Sequence, residues 1–122
     1  MNILFAGSPY CSAKILDSLF NEPDLNVKAV ITQPDKRGKR GNKLIESAVA
    51  KKARSLNIKT LKPLNLNNEI LKSKLLSLNV EFLIVVAYGK LIPNWLLDLP
   101  KISPINVHFS ILPKYRGASP IQ

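Results

Sequence analysis

Apolar runs of strand length alternate with segments of helical periodicity along this sequence, and that alternation predicts an α/β fold. Two observations carry the expectation. Strand-like runs recur at 2–6, 27–32, 82–87 and 103–108, with amphipathic stretches between them. The first three runs each end in turn residues: Gly7-Ser8-Pro9, Gln33-Pro34-Asp35 and Tyr88-Gly89-Lys90. Such an order calls for a Rossmann-like, mostly parallel sheet with helices on both faces. Right-handed crossovers then gather the loops after the strands along one edge, where ligands bind in open α/β sheets.

Each element has a local reason. Asn2 to Ala6 is a buried strand entering a glycine turn. Ser12 is a candidate cap for a helix carrying Leu16, Leu19 and Phe20, stopped near Pro23. A strand, a glycine and a helix invite a dinucleotide-binding reading, but Gly7 has no partner glycine two or five residues later. After the strand at 27–32, residues Lys36 to Lys43 place five basic side chains and two glycines in eight positions, which predicts a mobile solvated loop. Leu44 to Leu56 shows a helical stripe of Ile45, Ala48, Val49, Ala53 and Leu56, with Lys51 and Arg54 opposite. Asn57 to Leu61 forms a short strand ended by Pro63. Asn68 caps a helix with Leu71, Leu75 and Leu78 aligned. Phe82 to Ala87 is continuously apolar, as a strand covered on both faces requires. Pro93 suits the first position of a short helix before Pro100.

Composition bounds the possible functions. A chain of 122 residues with 46% hydrophobic content forms one domain with a modest core. One cysteine, Cys11, excludes an internal disulfide framework, and with one histidine it offers no metal-site spacing. No apolar run is long enough to span a bilayer and no signal-peptide pattern opens the chain, so the expected location is the cytoplasm, without membrane contact. Net charge is +10, which favours a polyanionic partner, nucleic acid first. Fourteen of the eighteen basic residues are lysines, a bias that genome composition also produces, so the concentrated charge at 36–43 weighs more.

The richest chemistry lies at 105–122. Alternation sends Ile105 and Val107 to one face and Asn106 and His108 to the other, near a strand end. An amide donor beside the sole imidazole suits stabilisation of an oxyanion in acyl or formyl transfer. On spacing alone a second reading stands beside it, in which Asn106 begins a turn and His108 is a half-buried edge histidine.

Asn106-Val107-His108, Ser110-Ile111-Leu112-Pro113, Tyr115-Arg116-Gly117-Ala118 and Pro120-Ile121-Gln122 resemble the core signature of the formyltetrahydrofolate-dependent formyltransferases. Phe5-Ala6-Gly7-Ser8-Pro9, Thr32-Gln33-Pro34-Asp35 and Val85-Val86-Ala87-Tyr88-Gly89 agree, in the family's order. Phe109 departs from the pattern, standing where the family usually has a small residue or proline. The resemblance implies a formyltransferase-type sheet and 10-formyltetrahydrofolate as cosubstrate, with no metal. It implies Asn106 and His108 as catalytic residues and Ser110, Ile111, Leu112, Pro113 and Tyr88 as folate contacts, Tyr88 being equally readable as packing. The ending is most similar to the branch whose acceptor is initiator methionyl-tRNA, and in that branch a basic insertion reaches the tRNA. Arg37, Lys39, Arg40 and Lys43 are the matching candidates here.

Two other readings share parts of this pattern: a formyltransferase for another amine, such as a nucleotide sugar or glycinamide ribonucleotide, and a non-catalytic RNA-binding remnant. The family's third catalytic residue, an aspartate, and its C-terminal tRNA-binding domain lie beyond Gln122. The resemblance therefore implies residues 1–122 as the N-terminal part of the catalytic domain, truncated or completed by a separately encoded C-terminal half.

Overall fold

The computed structural model describes residues 1–38, 41 and 43–108. Five parallel strands form its sheet: β1 (Asn2–Gly7), β2 (Asn26–Ile31), β5 (Thr60–Leu61), β6 (Phe82–Val86) and β7 (Ser103–Val107), in the spatial order β5-β2-β1-β6-β7. β1 lies at the centre because its residues are apolar on both sides: Ile3, Leu4, Phe5 and Ala6 are all buried. Period-two alternation splits them between two cores. Ile3 and Phe5 join Ile84 and Val86 on the face covered by α1 (Tyr10–Phe20) and α2 (Ala48–Ser55). Leu4 and Ala6 join Leu83 and Val85 on the face covered by α3 (Glu69–Leu76) and α4 (Asn94–Leu97). The expected parallel sheet with helices on both faces is thus the one observed.

Several local expectations change. α1 starts at Tyr10, with Pro9 as its N-cap, because the Pro9 carbonyl accepts from Ser12 and Ala13. Ser12 is not the cap: it is buried, and its Oγ donates to the Val86 carbonyl. α2 starts at Ala48 rather than Leu44, capped by Ser47, whose Oγ accepts from the Ala50 amide at 3.0 Å. Leu44–Ile45 instead forms β4, paired antiparallel with β3 (Lys36–Arg37). The basic segment is therefore a hairpin at its base rather than an unstructured loop, closed further by Gly38 N donating to Lys43 O at 3.0 Å. Pro93 precedes α4 as its N-cap instead of opening it. The strand expected at 57–61 shortens to Thr60–Leu61, since Asn57 takes φ +58°. Among the described residues, no helix is long and apolar enough to cross a membrane.

Gly7 answers a packing demand. A Cβ there would lie 2.6 Å from the Val86 carbonyl and 3.0 Å from Ser12 Cβ, so only glycine lets β1, β6 and α1 meet so closely.

Candidate active site

The C-terminal ends of β1, β2, β6 and β7 lie along one edge of the sheet, and two cavities open there. The first, about 920 Å³, is bounded by the turn after β1, the Gln33-Pro34-Asp35 turn, the β3–β4 hairpin and the start of α2. The second, about 700 Å³, lies between the loop after β6 and β7. Ala87, Tyr88 and Lys90 belong to both linings, so the loop after β6 is a shared wall.

Hydrogen bonds between distant turns fix the first cavity. The Thr32 and Ser47 hydroxyls lie 2.6 Å apart, tying the end of β2 to the start of α2. Ser8 Oγ donates to the Tyr88 carbonyl at 2.9 Å and accepts from the Gln33 amide at 3.3 Å. Gln33 Nε2 donates to the same Tyr88 carbonyl at 3.0 Å. Thr32 and Gln33 are buried, so these bonds are what make their polar groups tolerable there.

At the base of the hairpin, Lys62 Nζ lies 2.8 Å from Asp35 Oδ1 and 3.1 Å from Glu46 Oε2, and Arg54 also pairs with Glu46. The hydrogen bond from Arg54, then that from Lys62, holds the Glu46 carboxyl below the ordinary carboxylate range. Asp35 in turn pushes the Lys62 ammonium above the ordinary lysine value.

In the second cavity, β7 pairs with β6 in register, Val85 beside Asn106 and Val86 beside Val107. Asn106 therefore shares the sheet face of Val85, and Val107 packs with the core on the opposite face. His108 follows the strand directly; both Asn106 and His108 are exposed and line the cavity. The rest of the lining is mostly apolar, including Val85, Leu91, Ile92 and Leu97. An apolar cleft with an amide and an imidazole at its edge can hold a flat heterocycle and donate hydrogen bonds to a reacting carbonyl.

Tyr88 divides into two parts. Its ring packs into the core beneath α3 and α4 at 2% exposure, and its hydroxyl, pushed up in pKa by burial, has no hydrogen-bond partner among the described residues. Its carbonyl is the acceptor shared by Ser8 and Gln33. Arg37 and Lys43 sit exposed on the hairpin, and Arg37 borders the first cavity. Lys39, Arg40, Phe109, Ser110, Ile111, Leu112 and Pro113 lie outside the described residues.

Sequence reasoning missed Ser8, Thr32, Gln33 and Lys62. Each looks like an ordinary turn or surface residue, and only the topology brings its partner near. For Ser8, Thr32 and Gln33 the available signal was their place within the Phe5-to-Pro9 and Thr32-to-Asp35 stretches that carry the family resemblance.

Comparison with known proteins gives a consistent result. The chain is 45% identical over 121 residues to a methionyl-tRNA formyltransferase of Halothermothrix orenii, a match covering 99% of this chain and 38% of that protein. It is 44% identical over 123 residues to the Prochlorococcus marinus protein of the same name, covering all of this chain and 36% of the relative. The Caldicellulosiruptor saccharolyticus methionyl-tRNA formyltransferase is 45% identical over 123 residues, and 40% of it is covered. The chain thus spans about two fifths of the length of these relatives. The fold is similar to that of phosphoribosylglycinamide formyltransferase from Bacillus halodurans, with a TM-score of 0.61 at 20% identity, covering 96% of this chain and 60% of that one. Residues 1–122 match the family described as Formyl transferase, and the chain belongs to that family.

Proposed function

We propose that these residues form the N-terminal part of a catalytic domain that transfers a formyl group from 10-formyltetrahydrofolate to the α-amino group of initiator methionyl-tRNA. The observation that carries the reading is the juxtaposition of Asn106 and His108 at the mouth of an apolar cavity, beside the cavity bordered by the basic hairpin. The second cavity takes the folate, and Ser110 to Pro113 are assigned to contact it on the family resemblance. The first receives the end of the tRNA, and Arg37, Lys39, Arg40 and Lys43 contact its phosphates.

The chemistry follows from that placement. The amine lone pair attacks the formyl carbon, and the carbonyl electrons move onto oxygen. The Asn106 amide and a protonated His108 donate to the resulting oxyanion. Collapse breaks the bond to N10, which leaves with a proton as tetrahydrofolate, while the amine loses one. The three relatives named for methionyl-tRNA support the choice of acceptor.

The test continues this chain with the remainder of the Halothermothrix orenii relative and assays methionyl-tRNA and glycinamide ribonucleotide as acceptors. Formylation of methionyl-tRNA is expected. Transfer only to glycinamide ribonucleotide, or to neither, would overturn the reading.

A further inference from the structure

The loop after β6 has an unusual backbone for the wall of a site. Ala87 takes φ +51° and Gly89 φ +99°, so the chain enters the left-handed region twice within three residues. That conformation is unfavourable for alanine and persists only where its surroundings hold it. The Tyr88 carbonyl between them is turned toward the body of the protein, where Ser8 Oγ and Gln33 Nε2 donate to it from two different turns. The Gln33 amide also lies against Gly89: a Cβ on that glycine would sit 3.5 Å from Nε2 and 3.7 Å from Cγ. Gln33 is 8% exposed, and Pro34 after it biases its backbone toward extended geometry. A side chain needed only for bulk at this position would be apolar. A buried primary amide aimed at a carbonyl serves that acceptor, which it shares with the Ser8 hydroxyl.

We propose that Gln33 is a positioning residue for the folate cavity: with Ser8 it pins the Tyr88 carbonyl and so holds Ala87 to Lys90 in the shape that walls that cavity. Gln33 itself lines only the first cavity, so the residue acts across the shared wall. The inference rests on the assignment of the second cavity to folate. It also means that a residue reached from the acceptor side governs affinity on the cosubstrate side.

The experiment uses the chain continued with the remainder of the Halothermothrix orenii relative, carrying Gln33→Met, which keeps length and removes the donor, or Gln33→Glu, which keeps shape and sets a second acceptor against the carbonyl. Ser8→Ala serves as an independent variant should either fail to fold. Amide hydrogen exchange is followed across 87–91, and binding of 10-formyltetrahydrofolate is measured by calorimetry. Gln33→Met is expected to speed exchange in the loop about 2- to 10-fold, the value of one ordinary hydrogen bond. Folate affinity is expected to fall as well, by at most the same factor, because only the properly shaped loop binds. Gln33→Glu is expected to exceed Gln33→Met in both. Exchange at 87–91 unchanged from wild type in both Gln33 variants would overturn the positioning role, whatever the ligand does. Faster exchange with unchanged folate affinity would overturn the link to the cavity. Wild-type protein that binds no folate would instead sink the assignment of the cavity, and the exchange data alone would still decide whether Gln33 holds the loop.

Discussion

The two cavities at the sheet edge share a wall but are framed by different side chains. The one beside the hairpin is framed by polar side chains whose partners lie on separate turns, Thr32 with Ser47 and Ser8 and Gln33 with Tyr88. The one beside β7 is framed by apolar residues of β6, α4 and β7, with Asn106 and His108 at its edge. A network of buried hydrogen bonds fixes geometry for a charged, variable guest. An apolar cleft with few donors suits a flat heterocycle and leaves those donors for the reacting atoms. One loop serves both, and its backbone enters the left-handed region at Ala87 and again at Gly89.

Substituting the Asn106 and His108 edge should separate the cavities most sharply. His108→Ala in the continued enzyme is expected to lower formyl transfer about 100-fold or more, as loss of an oxyanion donor or general acid does. Binding of tRNA, measured by filter retention, is expected to stay unchanged. Near-normal turnover would make His108 a structural residue and erase the contrast. The common floor comes next. Gly7→Ala drives a Cβ into the Val86 carbonyl, and urea unfolding is expected to show a loss of about 1–3 kcal/mol. A neutral result would mean that α1 can shift without disturbing either cavity.

The hairpin supplies a subtler test. Neutralising Arg37, Lys39 and Arg40 together is expected to flatten the salt dependence of tRNA binding by about two units, at roughly 0.7–0.9 per phosphate contact. Folate affinity is expected to stay constant, and an unchanged slope would leave the hairpin without a role in RNA binding. The smallest effect concerns the ion cluster under it. Glu46 has a lowered folded pKa, so the stability it contributes is present above the ordinary carboxylate range and is lost as pH falls through the lowered value. Lys62→Met removes the second-largest cause of that lowering and is expected to move the Glu46 carboxyl upward in a carbon-detected NMR titration. Arg54→Met is expected to move it further, since the Arg54 hydrogen bond is the largest cause. The reverse order would show that the cluster is organised around Lys62.

Much of the fold was legible because the strands are long apolar runs whose pattern admits one arrangement. Phe82 to Ala87 reads as a strand buried on both faces, and Phe82–Val86 is one, with Ala87 leaving it at φ +51°. The Asn106 and His108 alternation was equally readable, since period two needs only neighbours. The start of α2 was not: Leu44 and Ile45 fit a helical stripe, yet pairing with Lys36 and Arg37 across the hairpin claims their backbone. The capping Ser47 was the stronger local signal, and it marks the true boundary. The polar frame of the first cavity was invisible for a different reason. The donors to the Tyr88 carbonyl lie 55 and 80 residues from it in sequence, so no window along the chain contains both, and even Thr32 and Ser47 are 15 residues apart.

The position of β1 has a consequence for how the protein is made. Its backbone bonds on one side to β6, and the Asn2 amide donates to Glu81 Oε1 at 2.8 Å, 79 residues away. At about 5–20 residues per second on the ribosome, that partner is synthesised roughly 4–16 s after β1. Throughout that interval the central strand of the finished sheet is a nascent apolar segment with one edge open. The middle of the sheet is thus the last part of β1–β2–β6 to close, and this stretch of the nascent chain is where a holding chaperone has the longest opportunity to bind.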